Sequence, residues 1–151
     1  MIPTIEHIIL RIERDKKTLG ITLYNKATLE EIVSFERVMN IKLPDDIKTF
    51  YKYCNGFESE EDMFRIIPLD EIIDRREDVD SYLINPKDFH IAEYMIYCDM
   101  WTLTVDEINN NKYSIYNNAE TAVDLTNNFS EFMDRFLNGG VFDGLYDWRK
   151  N

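Results

Sequence analysis

Cations are in short supply in this sequence: 17 Lys and Arg stand against 29 Asp and Glu, a formal net charge of -12. Such a field repels phosphate backbones and anionic headgroups, so nucleic acid and membrane surfaces are not expected as partners. The same field attracts basic proteins and speeds their encounter, an effect that fades with salt. Solubility is the plainer use of the same acidity. Cysteine is equally sparse. Cys54 and Cys98 are the only two, they lie far apart, and neither belongs to a CxxC or Cys/His cluster, so no disulfide framework or zinc site is visible. Reduced, buried thiols are the expectation, which points to a reducing cytosol and a cytoplasmic location. His7 and His90 are the only histidines and neither falls in an HxH or HExxH spacing, so no metal is expected. The five glycines do not gather into a phosphate-cradling loop, and there is no Walker A, GxGxxG or GxSxG, so no cofactor and no catalytic residue is assigned. No apolar run is long enough to span a bilayer. The opening MIPTIEHIILRIERDKK is interrupted by Glu6, His7, Arg11 and Glu13, unlike the core of a signal peptide.

Carboxylates are what the chain has in plenty. A glycosidase-type acid and base pair depends on a spatial separation that sequence does not carry, so a carboxylate enzyme stays open as an alternative to a solvated face. With 151 residues, 44% hydrophobic and 30% charged, the chain fits a single domain over 1–151 with a real core and a wetted surface.

Periodicity supplies the elements. Ile5, Ile8, Ile9 and Ile12 share one helical face, with Gly20 as a stop. Thr28 stands three residues before Glu31, a capping box, and Leu29, Ile32, Phe35 and Met39 follow at helical spacing to about Asn40. Pro44 and the pair Asp45 and Asp46 open a third helix through Ile47, Phe50, Tyr51 and Cys54, and Asn55-Gly56 closes it. FRIIPL reads as a first short strand, and Asp70 to Asp80 as a short surface helix and loop reaching Asn85-Pro86. Residues 91 to 98, 101 to 106, 112 to 116 and 121 to 125 are β-branched or aromatic-rich strands separated by asparagine-rich turns. Strands so closely spaced form an antiparallel meander, with helices on one face. Phe129, Phe132, Met133, Phe136 and Leu137 outline a last helix from Asn127 or Asn128 to Gly139-Gly140, and the tail holding Phe142, Leu145, Tyr146 and Trp148 is too apolar to hang loose. The fold class expected is therefore α+β.

Two acidic stretches are candidate interaction surfaces: Glu58, Glu60, Glu61 and Asp62 after the third helix, and Asp70 to Asp80, which Arg75 and Arg76 partly offset. The first is less compensated and falls in an expected loop, so it ranks higher as the partner-binding set; a solvated loop is the plain alternative. Outward-facing Tyr or Trp among Tyr94, Tyr97 and Trp101 would be a second kind of anchor.

The run FERVMNIKLPDDIKTFYKYCNG resembles the opening signature of the SUKH superfamily, a domain of many bacterial toxin-immunity proteins and of a fungal regulator of cell-wall synthesis. Phe35-Glu36 stands for its apolar-Glu pair, Leu43-Pro44 for its LP turn, and the match runs on through Phe50 to Asn55-Gly56. The order of later elements, ending in NFSEFMDRFL, extends the likeness over about 28 to 138. Where members often carry a glycine-rich turn between central strands, this chain has Cys98-Asp99-Met100-Trp101. The resemblance implies a non-catalytic domain that binds a cognate toxin with a basic surface, such as a nuclease, and blocks it. A regulatory scaffold on the same fold is the alternative it leaves.

Overall fold

In the computed structural model, which describes residues 1–76 and 83–150, local signals set the helices first. Helix α1 (Ile5–Asp15) is capped by Thr4 and buries Ile5, Ile8 and Ile12. Helix α2 (Leu29–Met39) begins with the expected box: Glu31 N–H donates to Thr28 Oγ1 and Thr28 N–H to Glu31 Oε1, both at 3.1 Å. Removing such a cap costs about 1 kcal/mol. Leu29 is exposed rather than on the buried face, because it precedes the stripe of Ile32, Phe35 and Met39 that meets the core. Glu36 accepts Leu43 N–H at 2.8 Å and pairs with Lys48 at 3.4 Å, tying the end of α2 to the start of α3 (Asp45–Tyr53).

Asn55-Gly56 does more than close α3. Cys54 already ends that helix in extended backbone. Asn55 turns inward, where its Oδ1 accepts Leu69 N–H at 2.9 Å and so starts α4 (Leu69–Asp74). Gly56 sits at φ 89°, and a Cβ there would meet the Ile66 carbonyl oxygen at 2.2 Å, so no other residue fits.

Seven strands form one antiparallel meander in sequence order: β1 (Ile21–Leu23), β2 (Phe57–Ser59), β3 (Phe64–Ile66), β4 (Phe89–Tyr94), β5 (Asp99–Asp106), β6 (Lys112–Asn117) and β7 (Val123–Thr126). FRIIPL is thus the third strand and not the first. β1 and β2 are only three residues each, too short for alternation to announce them. The turn between β4 and β5 is Met95 to Cys98, residues expected at the end of a strand, while Asp99 and Met100, the expected break, lie within β5.

Pleating sends Phe57, Phe64, Ile66, Ala92, Trp101, Leu103 and Ile115 to one face. Helices α1, α3 and α5 (Phe129–Gly139) cover that face. Phe64 stacks on Phe136 at 4.1 Å and stands edge-on to Trp101 at 5.7 Å, so the sheet and α5 share one aromatic core. α5 starts at Asn128, whose side chain accepts Glu131 N–H at 3.2 Å. The apolar tail does dock: after Gly140 the chain forms a π-helix, Gly140–Tyr146, that buries Val141 and Leu145, with Gly144 pressed against the Arg135 carbonyl. Of the second acidic stretch, Glu77, Asp78 and Asp80 lie outside the described residues.

Candidate docking surface

The face of the sheet opposite α1, α3 and α5, where α4 packs, is organised around β3 by Arg65. It alternates with Phe64 and Ile66 on β3 and so points away from the core. Its Nε donates to Glu93 Oε2 at 2.9 Å, and its two terminal nitrogens form a fork on Glu71 of α4. Tyr97 O–H donates to the same Glu71 at 2.5 Å, and Tyr24 O–H reaches Glu58 at 3.3 Å. Arg75 lies 4.7 Å from the centre of the Tyr97 ring. Burial works against an ionised Glu71, but the hydrogen bonds from Arg65 and Tyr97 outweigh it and hold its pKa below the ordinary glutamate value. Glu71 is therefore kept charged, which suits an ion-pair network and is the reverse of what a general acid needs.

Tyrosine hydroxyls satisfy carboxylates elsewhere too. Tyr53 donates to Glu13, Tyr113 to Asp46, Tyr116 to the buried Asp88 at 2.7 Å, and Tyr146 to Asp99. In a chain poor in cations, phenols take over part of the work of Lys and Arg.

The expected partner-binding residues divide into two groups. Glu58 is not in a loop: it lies on β2, paired with Arg65 across the strands. Glu60, Glu61 and Asp62 form the turn from β2 to β3. Glu60 and Glu61 are exposed, while Asp62 is half-buried, accepting from Ser59 Oγ at 3.4 Å and lying against Gly140. Trp101 is fully buried and Tyr97 is engaged with Glu71, so the outward aromatic at this end is instead Phe142 of the tail.

Sequence reasoning missed the apolar residues beside those carboxylates. Met63 and Met95 face each other at the end of the β3–β4 ladder, with Met95 N–H donating to the Met63 carbonyl at 2.9 Å. Ile96 follows in the same turn, and Phe142 packs edge-on to Tyr94 at 5.7 Å. All four are exposed, Met63 by 49%, Met95 by 41%, Ile96 by 81% and Phe142 by 62%.

Two open grooves lie away from this end. One, of about 720 Å³, runs past Asn85, Lys87, Thr104 and Lys112; the other, of about 810 Å³, is flanked by Lys42, Lys48, Lys112 and Asp45. Among the described residues, no three His, Cys, Asp or Glu side chains converge as a metal site. No described helix is long and apolar enough to cross a membrane.

A seven-stranded antiparallel meander backed by helices, with the Arg65 ion pairs on the opposite face and carboxylates outside any salt bridge among the described residues at one end, defines an α+β domain. The chain belongs to the SMI1/KNR4 family (SUKH-1), which it matches over residues 26–135. Members of the SUKH group are commonly immunity proteins of toxin systems and generally non-catalytic. Comparison with individual curated proteins gave no match. The residues that carry the family likeness are accounted for by structure: Glu36 ties two helices, Leu43 is buried, Asn55 caps α4 and Gly56 allows close backbone approach.

Proposed function

We propose that this chain is a cytoplasmic immunity protein that neutralises a cognate bacterial toxin by direct, non-catalytic binding to a basic surface on it. The single observation carrying this reading is the combination of family membership with a net charge of -12. Complementary fields raise association rates, and an acidic surface can occupy a cleft that otherwise receives phosphate, which makes a nuclease a fitting target. Protection by occupancy requires tight binding, on the order of -12 kcal/mol, or nanomolar dissociation. Of the two thiols expected to be buried, Cys54 is, and burial pushes it up to about 12, whereas Cys98 is exposed.

Co-expression with a candidate toxin from a neighbouring reading frame, read as growth and as recovery of a stoichiometric complex, tests the proposal. Rescue of growth with a complex is expected; unrelieved toxicity with no complex refutes it. Reversing the charge of Glu58, Glu60, Glu61 and Asp62 together should slow association at low salt, and an unchanged rate would remove these residues from the interface.

A further inference from the structure

Among the described residues, four of the seven non-glycine positions with left-handed backbone are crowded into the two neighbouring turns at one end of the sheet: Met63 at φ 53°, Met95 at 52°, Ile96 at 52° and Tyr97 at 63°. Left-handed backbone costs an L-residue energy that glycine or asparagine largely escapes, and a β-branched residue suffers most. Elsewhere among the described residues the rule is kept, with Asn40, Asn110 and Asn111 in the other three positions. Three of the four crowded residues are also large apolar side chains turned to solvent. The fold thus accepts both backbone strain and apolar exposure at the same place, a pairing that marks functional sites.

Phe142 extends the patch from the helical side, through its contact with Tyr94. Around it stand Glu60, Glu61, Asp62 and Asp143, none of which forms a salt bridge among the described residues. The cations at the β4–β5 turn are engaged, Arg65 by Glu71 and Glu93 and Arg75 over the Tyr97 ring. An apolar centre inside an uncompensated acidic rim has the anatomy of an interface core.

We infer that Met63, Met95, Ile96 and Phe142 form the anchoring centre of the docking surface, and that its occupant is a protein presenting a bulky apolar side chain flanked by Lys or Arg. This rests on the binding role proposed above and adds where the partner sits and what it inserts. A second copy of this chain fits poorly, because its own acidic rim would face this one.

The test is a selection from a displayed library of random cyclic peptides against the immobilised full chain, followed by affinities for the native protein, Ile96→Asp and Ile96→Asn. The expected binders carry Lys or Arg around a Leu, Phe or Trp and lose about tenfold or more in affinity for both variants. Ile96→Asn should meanwhile raise the thermal midpoint, because asparagine suits the left-handed turn, so lost binding would not reflect lost folding. Binders that lack this composition, or that keep native affinity for both variants, overturn the inference. So does concentration-dependent dimerisation that Ile96→Asp abolishes. The two proposals fail separately. If a toxin is found that the native chain neutralises and Ile96→Asp neutralises it equally well, the surface falls and the immunity role stands; if no toxin is neutralised while the selected peptides still depend on Ile96, the reverse holds.

Discussion

Two regions of this molecule handle charge in opposite ways. On the face of the sheet away from α1, α3 and α5, Arg65 is surrounded by Glu71, Glu93, Tyr24 and Tyr97, and every partner has a partner. At the end of the sheet, Glu60, Glu61 and Asp143 project into solvent around bare methionine, isoleucine and phenylalanine side chains. A network whose members satisfy one another has little left to offer an incoming molecule, and its role is to fix strand register and the position of α4. Groups left unmatched are the ones whose free energy can still fall on association. The most ionic part of the surface is thus the structural part, and the less conspicuous end is the one fitted for a partner.

This contrast can be broken from either side. The largest effect is expected from Arg65→Met, which strands Glu93, only 3% exposed at its side chain, without a counter-charge. A loss of about 2–4 kcal/mol in urea unfolding is expected, and an unchanged midpoint would show the network to be ornamental. Next comes Ile96→Asn, expected to stabilise by about 1 kcal/mol through relief of left-handed strain; destabilisation would mean that the Ile96 side chain packs in the free protein.

A smaller effect concerns acid. Because the folded pKa of Glu71 is depressed, its contribution is present above the ordinary value of 4.5 and disappears as pH falls through the folded value. Glu71→Gln should therefore flatten the acid limb of the stability profile below about pH 4.5, and parallel limbs for both proteins would contradict the assignment. The smallest effect belongs to Glu60→Gln with Glu61→Gln, expected to move stability by no more than about 0.5 kcal/mol. A larger shift would place the two carboxylates in the structural class after all.

The helices were legible in the sequence because their signals are local. Thr28 and Glu31, Asn128 ahead of Phe129, and the apolar stripes of α1 and α5 are contained within a turn or two of chain. Fold class followed from four closely spaced β-rich segments. Three-residue strands such as Ile21–Leu23 and Phe57–Ser59 escaped, since they exist through pairing with each other and with β3 and hold too few residues to show a period. For the candidate site, the acidic residues could be named from sequence, but their division between strand and turn could not. Nor could Met95 and Ile96 be read as a turn: methionine and isoleucine announce strand, and only the ladder imposes left-handed backbone on them. The Arg65 network joins Tyr24, just after β1, with residues from β3, α4, β4 and the β4–β5 turn, a convergence that exists only in three dimensions.

The tyrosine–carboxylate pairs carry a consequence at the alkaline end of the scale. A phenol that loses its proton beside Glu13, Glu71, Asp46, Asp88 or Asp99 would set two anions in contact, and burial already disfavours the first. Tyr53, Tyr97, Tyr113, Tyr116 and Tyr146 are accordingly raised above the usual 10.0, by burial first and by the carboxylate second. Groups of this kind favour the folded state below their ordinary pKa and withdraw that support as pH climbs through the raised values. In strong base the folded chain should keep these phenols colourless, then release them together in one cooperative ultraviolet transition as it unfolds.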